Sequence, residues 1–175
     1  MGLIKIYLGL VALVLMSFCL PKNIQKKVNK EIYTVFSIQE FKLETKLFSK
    51  EISDNLPAKF EANNLFKIVT SEEIVGYAYV GNAPSKTDTF DYLILFDKDF
   101  IIKKSKVLIY REDYGGEIGS KRWLKQFNGK TQNDTLKLHD NIVAISGATI
   151  SVRSMTNAVN DVLKSINILN AKGLL

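Results

Sequence analysis

Two pairs of strand-like segments, each joined by a three-residue turn, restrict the fold of this chain more than any other feature. Residues 66–70 and 74–80 flank Ser71-Glu72-Glu73, and residues 90–96 and 100–110 flank Asp97-Lys98-Asp99. The flanks are rich in Val, Ile, Phe and Tyr and the turns are short and charged, as in hairpins. Adjacent hairpins build an antiparallel sheet and argue against a βαβ repeat.

Helical spacing appears on both sides of these strands. Met155, Val159, Val162, Ile166 and Leu169 recur at steps of four, three, four and three, which makes one apolar helix face for core packing. Ser151 or Ser154 is the expected cap. Ile24, Val28, Ile32, Val35 and Phe36 mark an amphipathic helix over residues 22–37, whose Lys-rich face has anionic lipid as a second reading. Residues 121–127 predict a short helix with Trp123, Leu124 and Phe127 on one side. Residues 38–62 give mixed signals around Pro57, and Gly81-Asn82-Ala83-Pro84 is loop chemistry. The expected class is α+β: a mainly antiparallel sheet packed with helices, the last one C-terminal and amphipathic. At 175 residues and 46% hydrophobic content there is material for one core and not two.

Residues 6–20 form an unbroken apolar run between Lys5 and Pro21. It is shorter than the roughly 20 residues of a comfortable membrane span. A charged start, an apolar middle and a helix-breaking end make a signal peptide or an uncleaved anchor over residues 1–21. A buried core helix is the other reading. The formal charge of +6 is concentrated beside this run, because Lys5, Lys22, Lys26, Lys27 and Lys30 precede the first acidic residue, Glu31. From Glu31 onward 19 basic residues face 18 acidic ones, so a nucleic-acid-binding surface is disfavoured. The positive-inside rule would hold those lysines in the cytoplasm, against an export reading. Charge alone leaves the side open.

The single cysteine, Cys19, and the single histidine, His139, exclude several chemistries. No disulfide framework, CxxC pair or Cys-rich zinc site is possible, and a His-based metal cluster or triad is disfavoured. Redox or group-transfer chemistry would have to come from an organic cofactor or from carboxylates.

The informative stretch lies just before the last helix: Ala144-Ile145-Ser146-Gly147-Ala148-Thr149-Ile150-Ser151. Small residues let the backbone approach a ligand, and Gly147 takes conformations that other residues avoid. A helix starting near Ser151 turns its free N–H groups and positive dipole end toward this loop, where phosphate is a natural occupant. The hydroxyls of Ser146, Thr149 and Ser151 offer hydrogen bonds or a point of covalent attachment. On these residues alone a plain capped turn explains the segment equally well.

This segment, followed by an amphipathic helix, resembles the flavinylation motif of the FMN-binding domain family. That family includes the periplasmic G subunit of Rnf complexes and the C subunit of sodium-pumping NADH:quinone reductases. In it the motif threonine, here Thr149, forms a phosphodiester with FMN, installed from FAD by a magnesium-dependent flavin transferase. A second stretch is similar to the family's Glu-Thr-Pro-Gly-like loop, short helix and Phe-Gly-Lys-like turn. Here Tyr110-Arg111-Glu112-Asp113-Tyr114-Gly115-Gly116-Glu117 is followed by Trp123, Gln126-Phe127 and Gly129-Lys130. Asp113 and Tyr114 stand where the family has threonine and proline.

The resemblance, over about residues 70–168, implies an FMN-binding domain at residues 63–175, with residues 22–62 a helix and connector. It implies cofactor contacts at Thr149, Ser146, Gly147, Ala148, Ser151, Glu112, Gly115 and Gly116. Tyr110 or Tyr114 would stack near the isoalloxazine or pack at a sheet edge, and Arg111 would pair with a carboxylate. Neither catalytic residues nor metal ligands are implied. The family reading is a membrane-associated, extracytoplasmic electron carrier, matured by the transferase and served by a redox donor and acceptor. One departure is plain: the family's Asp six residues before the threonine is Val143 here, and Asp140 lies three residues earlier still. A degenerate member without flavin, acting as an assembly or ligand-sensing module, is the alternative. A hydrolase built on Ser146 or Ser151 lacks a G-x-S-x-G elbow and has only His139 for a base.

Overall fold

The computed structural model describes residues 20–175, so the signal or anchor segment lies outside the described residues apart from its end. Both expected hairpins are present. They join one further strand in a five-stranded antiparallel sheet of sequential order: β1 (Lys42–Thr45), β2 (Leu65–Val69), β3 (Ile74–Pro84), β4 (Thr89–Phe96) and β5 (Ile102–Tyr110). The helices are α1 (Lys22–Phe36), α2 (Lys50–Ser53), α3 (Lys121–Leu124) and α4 (Thr149–Ala171). The α+β expectation holds.

The sheet is covered on both faces, which explains the nearly continuous apolar sequence of β4. Leu93 and Leu95 pack in the cluster that takes in Ile24, Val28 and Ile32 of α1. Tyr92, Ile94 and Phe96 pack in the cluster with Met155, Val159, Val162, Ile166 and Leu169 of α4. Each fully buried aliphatic side chain on these helix faces contributes about 1.5–3 kcal/mol. α1 is tied down by polar contacts as well: Lys27 Nζ donates to the Leu108 carbonyl at 2.6 Å, and Glu31 pairs with Lys104 at 2.5 Å. Its other face, with Lys22, Lys26 and Lys30, is exposed.

Three local expectations are corrected. Residues 38–62 contain β1, which pairs with β2 from Lys42↔Val69 to Thr45↔Phe66. Its four residues are too few to show a period in sequence. Gly81-Asn82-Ala83-Pro84 does not leave the sheet but extends β3, paired with β4 as far as Pro84↔Thr89. Asn82 Nδ2 donates to Thr89 Oγ1 and Asp91 Oδ1 across the pair, at 3.1 and 2.8 Å. Gly81 is needed because a Cβ there would meet the Tyr92 ring at 2.4 Å. Finally, α4 begins at Thr149, with Ala148 at the cap position and no side-chain cap. Ser151 and Ser154 therefore lie inside the helix.

The segment between β5 and α4 is fastened by side chains. Asn160 of α4 donates to the Leu136 carbonyl at 2.7 Å and accepts from the Leu136 N–H at 2.8 Å, imitating a strand partner. Trp123, Leu124 and Phe127, the predicted apolar side of 121–127, are buried beneath this segment.

Candidate cofactor site

Three chain segments meet at one end of the sheet. They are the β3–β4 turn at Lys86–Thr87–Asp88, the loop after β5 from Tyr110 to Tyr114, and the turn into α4 from Gly147 to Ser151. Together they line an open cavity of about 610 Å³. The two stretches singled out in the sequence, some forty residues apart, are thus brought together.

Tyr110 is the hinge pin of the arrangement. Its hydroxyl lies 3.0 Å from the Tyr114 carbonyl and 3.0 Å from Ser151 Oγ. A phenol has one proton, so donation to the carbonyl leaves Ser151 as the donor to Tyr110. The hydroxyl of Ser151, a buried residue, is spent on holding α4 to this loop. Tyr110 also leans on Phe90, ring centroids 6.0 Å apart. Gly115 completes the bend at φ +81°, and a Cβ there would lie 2.8 Å from the Tyr110 hydroxyl. Gly116 is under no such pressure, its nearest contact being 3.9 Å away. Tyr114 is 84% exposed at the cavity mouth.

Glu112 fastens the turn on the far side. Its Oε1 accepts from the N–H groups of Thr87 at 2.7 Å and Asp88 at 3.1 Å. The neighbouring Ser85 hydroxyl, together with these N–H groups, favours the charged form and brings the Glu112 pKa down to about 2. Ser85 Oγ closes no hydrogen bond of ordinary geometry, so the two backbone N–H groups are the contacts that hold the carboxylate in place. Arg111 pairs with Asp91 at 2.5 Å and donates to the Thr89 carbonyl at 3.2 Å. It meets a carboxylate, as its sequence position suggested.

The turn into α4 is built differently. Gly147 has φ +81°, and a Cβ there would meet nothing within 4 Å, so the backbone forms an open cradle above the helix start. Ser146 and Thr149 are exposed, while Ala148 is buried. With no side-chain cap, the first N–H groups of this 23-residue helix are available to an anion. Upstream, Val143 is held only by its backbone: its N–H donates to Gln126 Oε1 and its carbonyl accepts from Trp123 Nε1, both at 2.7 Å. Its side chain is 69% exposed. Sequence reasoning missed Lys86, Thr87 and Asp88 as site residues, and it noted Trp123 and Gln126 without seeing that they clamp Val143. Only the Lys-Thr-Asp composition of the β3–β4 turn hinted at the former.

Residues 86–164 match the FMN-binding domain family. The match starts at the turn that Glu112 fastens and ends within α4. The likeness over this stretch is to an FMN-binding domain. α1, β1, α2, β2 and β3 lie outside the matched residues. Among solved structures the chain is similar to NqrC of Shewanella oneidensis, with 21% identity, a TM-score of 0.49, and coverage of 74% of this chain and 69% of that one. No curated protein sequence matches the chain.

The residues present fit FMN. An exposed threonine hydroxyl, an uncapped helix start and a glycine cradle share one cavity, a chemistry suited to a phosphate ester. Thr149, Gly147 and Ala148 would hold the phosphate end, and Tyr110, Tyr114 and Glu112 border the space beside it.

Proposed function

We propose that the protein is an electron-transfer flavoprotein carrying FMN as a phosphodiester on Thr149. The observation that carries this reading is the exposed Thr149 at the uncapped start of α4, opening into the cavity of an FMN-binding domain. In maturation a flavin transferase would join Thr149 Oγ1 to the FMN phosphorus of FAD. The pyrophosphate bond breaks, AMP leaves, and the threonine hydroxyl gives up its proton. Bound FMN supplies one- and two-electron transfer, which needs no general acid–base pair from the protein. The protein's own residues do the rest. The N–H groups of α4 stabilise the phosphate charge, Tyr110 and Ser151 fix the helix against the β5 loop, and Glu112 holds the opposite wall.

Co-expression with a flavin transferase, followed by ultraviolet fluorescence of the denatured protein in a gel, tests the linkage. The wild-type band is expected to fluoresce, and its mass to rise by FMN less one water. Thr149→Ala is expected to give a dark band. Val143 favours the second reading, a flavin-free assembly or sensing module, because its exposed apolar side chain stands where the family has Asp. A dark wild-type band in the presence of active transferase would overturn the linkage, and absence of flavin from the natively purified protein as well would select that reading.

The same proposal places the domain on the extracytoplasmic side of a membrane, tethered by the apolar run at residues 6–20, with a separate donor and acceptor. Leu20 and Pro21 lead directly from that run into α1. No helix among the described residues is long and apolar enough to cross a membrane. A phosphatase fused after Leu175 is expected to be active; an inactive phosphatase with an active cytoplasmic reporter would overturn this placement.

A further inference from the structure

Between the edge strand β5 and α3 lies a groove of about 220 Å³ that shares no residue with the flavin cavity. Lys103, Lys106, Lys121 and Lys125 line it, together with Ser105, and no carboxylate does. Lys104 also borders it, but its ammonium is taken by Glu31. Among the described residues none of the other four lysines has an ion-pair partner. The second observation is independent of charge. Ser105 is 3% exposed, and its hydroxyl has no hydrogen-bond partner. Buried hydroxyls are nearly always paired, because an unmade hydrogen bond forfeits the hydration given up on folding.

Both features are unfavourable by themselves, and both are relieved by the same ligand. Four cations gathered without a counter-charge repel one another. An oxyanion neutralises them and accepts the hydrogen bond that Ser105 has to give, and charge-assisted bonds of this kind are stronger than neutral ones. The groove is about a third of the flavin cavity in volume, 220 against 610 Å³. That is too small for a flavin ring and ample for a phosphate. We infer that the β5–α3 groove binds a phosphate-sized oxyanion, held by Lys103, Lys106, Lys121 and Lys125 with Ser105 as hydrogen-bond donor. The anion is either free inorganic phosphate or the end of a phosphomonoester. The inference does not depend on the flavin reading.

The test is a titration of the full-length protein in detergent with inorganic phosphate, at ionic strength held constant with chloride. The amide resonances of Ser105 and Lys106 report this groove, and those of Ala148 and Thr149 report the start of α4. Saturable shifts at Ser105 and Lys106 are expected, with affinity at least about tenfold weaker in Lys121→Ala/Lys125→Ala. Ser105→Ala is expected to weaken binding while leaving the melting temperature of the phosphate-free protein unchanged or higher, since it removes an unpaired hydroxyl. Glycerol phosphate in a parallel arm identifies the source: equal binding means phosphomonoesters are accepted, and weaker binding means the free ion is preferred. Shifts that do not saturate and that chloride reproduces would mean an adventitious ion only. That result, or unchanged affinity in the double lysine variant, would overturn the proposal.

Discussion

The two loops that close the candidate site are built in opposite ways. The loop after β5 is braced at each step: Tyr110 bonds back to Tyr114 and across to Ser151, Arg111 is tied to Asp91, and Glu112 grips Thr87 and Asp88. The turn into α4 leaves its functional groups unspent, with Ser146 and Thr149 exposed and the helix start uncapped. Its bracing is moved upstream to Val143, where Trp123 and Gln126 hold the backbone. One wall therefore fixes shape while the other keeps a hydroxyl and several N–H groups free for an anion. Pre-organisation and availability are separated in space, and each wall fails differently when disturbed.

Thr149→Ala sharpens this contrast most. It is expected to remove all covalent flavin while changing stability by no more than about 0.5 kcal/mol, because the side chain is exposed and unbraced. Urea unfolding alongside the gel fluorescence measures both. The two left-handed glycines give the next effect. Gly115→Ala adds a contact with the Tyr110 hydroxyl at 2.8 Å to backbone strain at φ +81°, and is expected to cost about 2 kcal/mol or more. Gly147→Ala has the same φ but open space, and is expected to cost about 1 kcal/mol. Equal losses at both glycines would show that the β5 loop is not the braced wall. Tyr110→Phe should cost about 1 kcal/mol, since it leaves Ser151 without its partner.

The smallest effect is a dependence on pH. Glu112 has its pKa lowered from 4.5 to about 2, so its contribution is complete above its unfolded value and is lost as pH falls through about 2. The urea midpoint of the wild type should therefore decline on acidification over that window more than the midpoint of Glu112→Gln. Parallel declines would remove Glu112 from the brace.

Much of the fold was legible because it is written in local periodicity. The hairpins around Ser71 and Asp97, the helix of residues 22–37 and the apolar stripe from Met155 to Leu169 all follow from short-range spacing. Periodicity does not say which strand lies beside which, so β1 was hidden in residues 38–62 until it paired with β2. Gly81 and Pro84 carry loop composition, and only their partners across β4 hold them in a strand. α4 starts at Thr149, two residues before Ser151, and the Ser151 hydroxyl meets Tyr110 instead of capping the helix.

The candidate site divides along the same line. The sequence by itself determined the motif around Thr149, the glycine beside it, the scarcity of Cys and His, and the likeness of residues 86–164 to the FMN-binding domain family. These rest on residue type and short spacing, which a linear reading preserves. Only the tertiary structure decided that Glu112 spends its carboxylate on the β3–β4 turn, that Tyr110 reaches Ser151 forty-one residues away, and that the Val143 side chain faces solvent. The physical reason is that a side chain's role depends on which partner satisfies its hydrogen bonds. Those partners come from distant segments that only folding brings within reach.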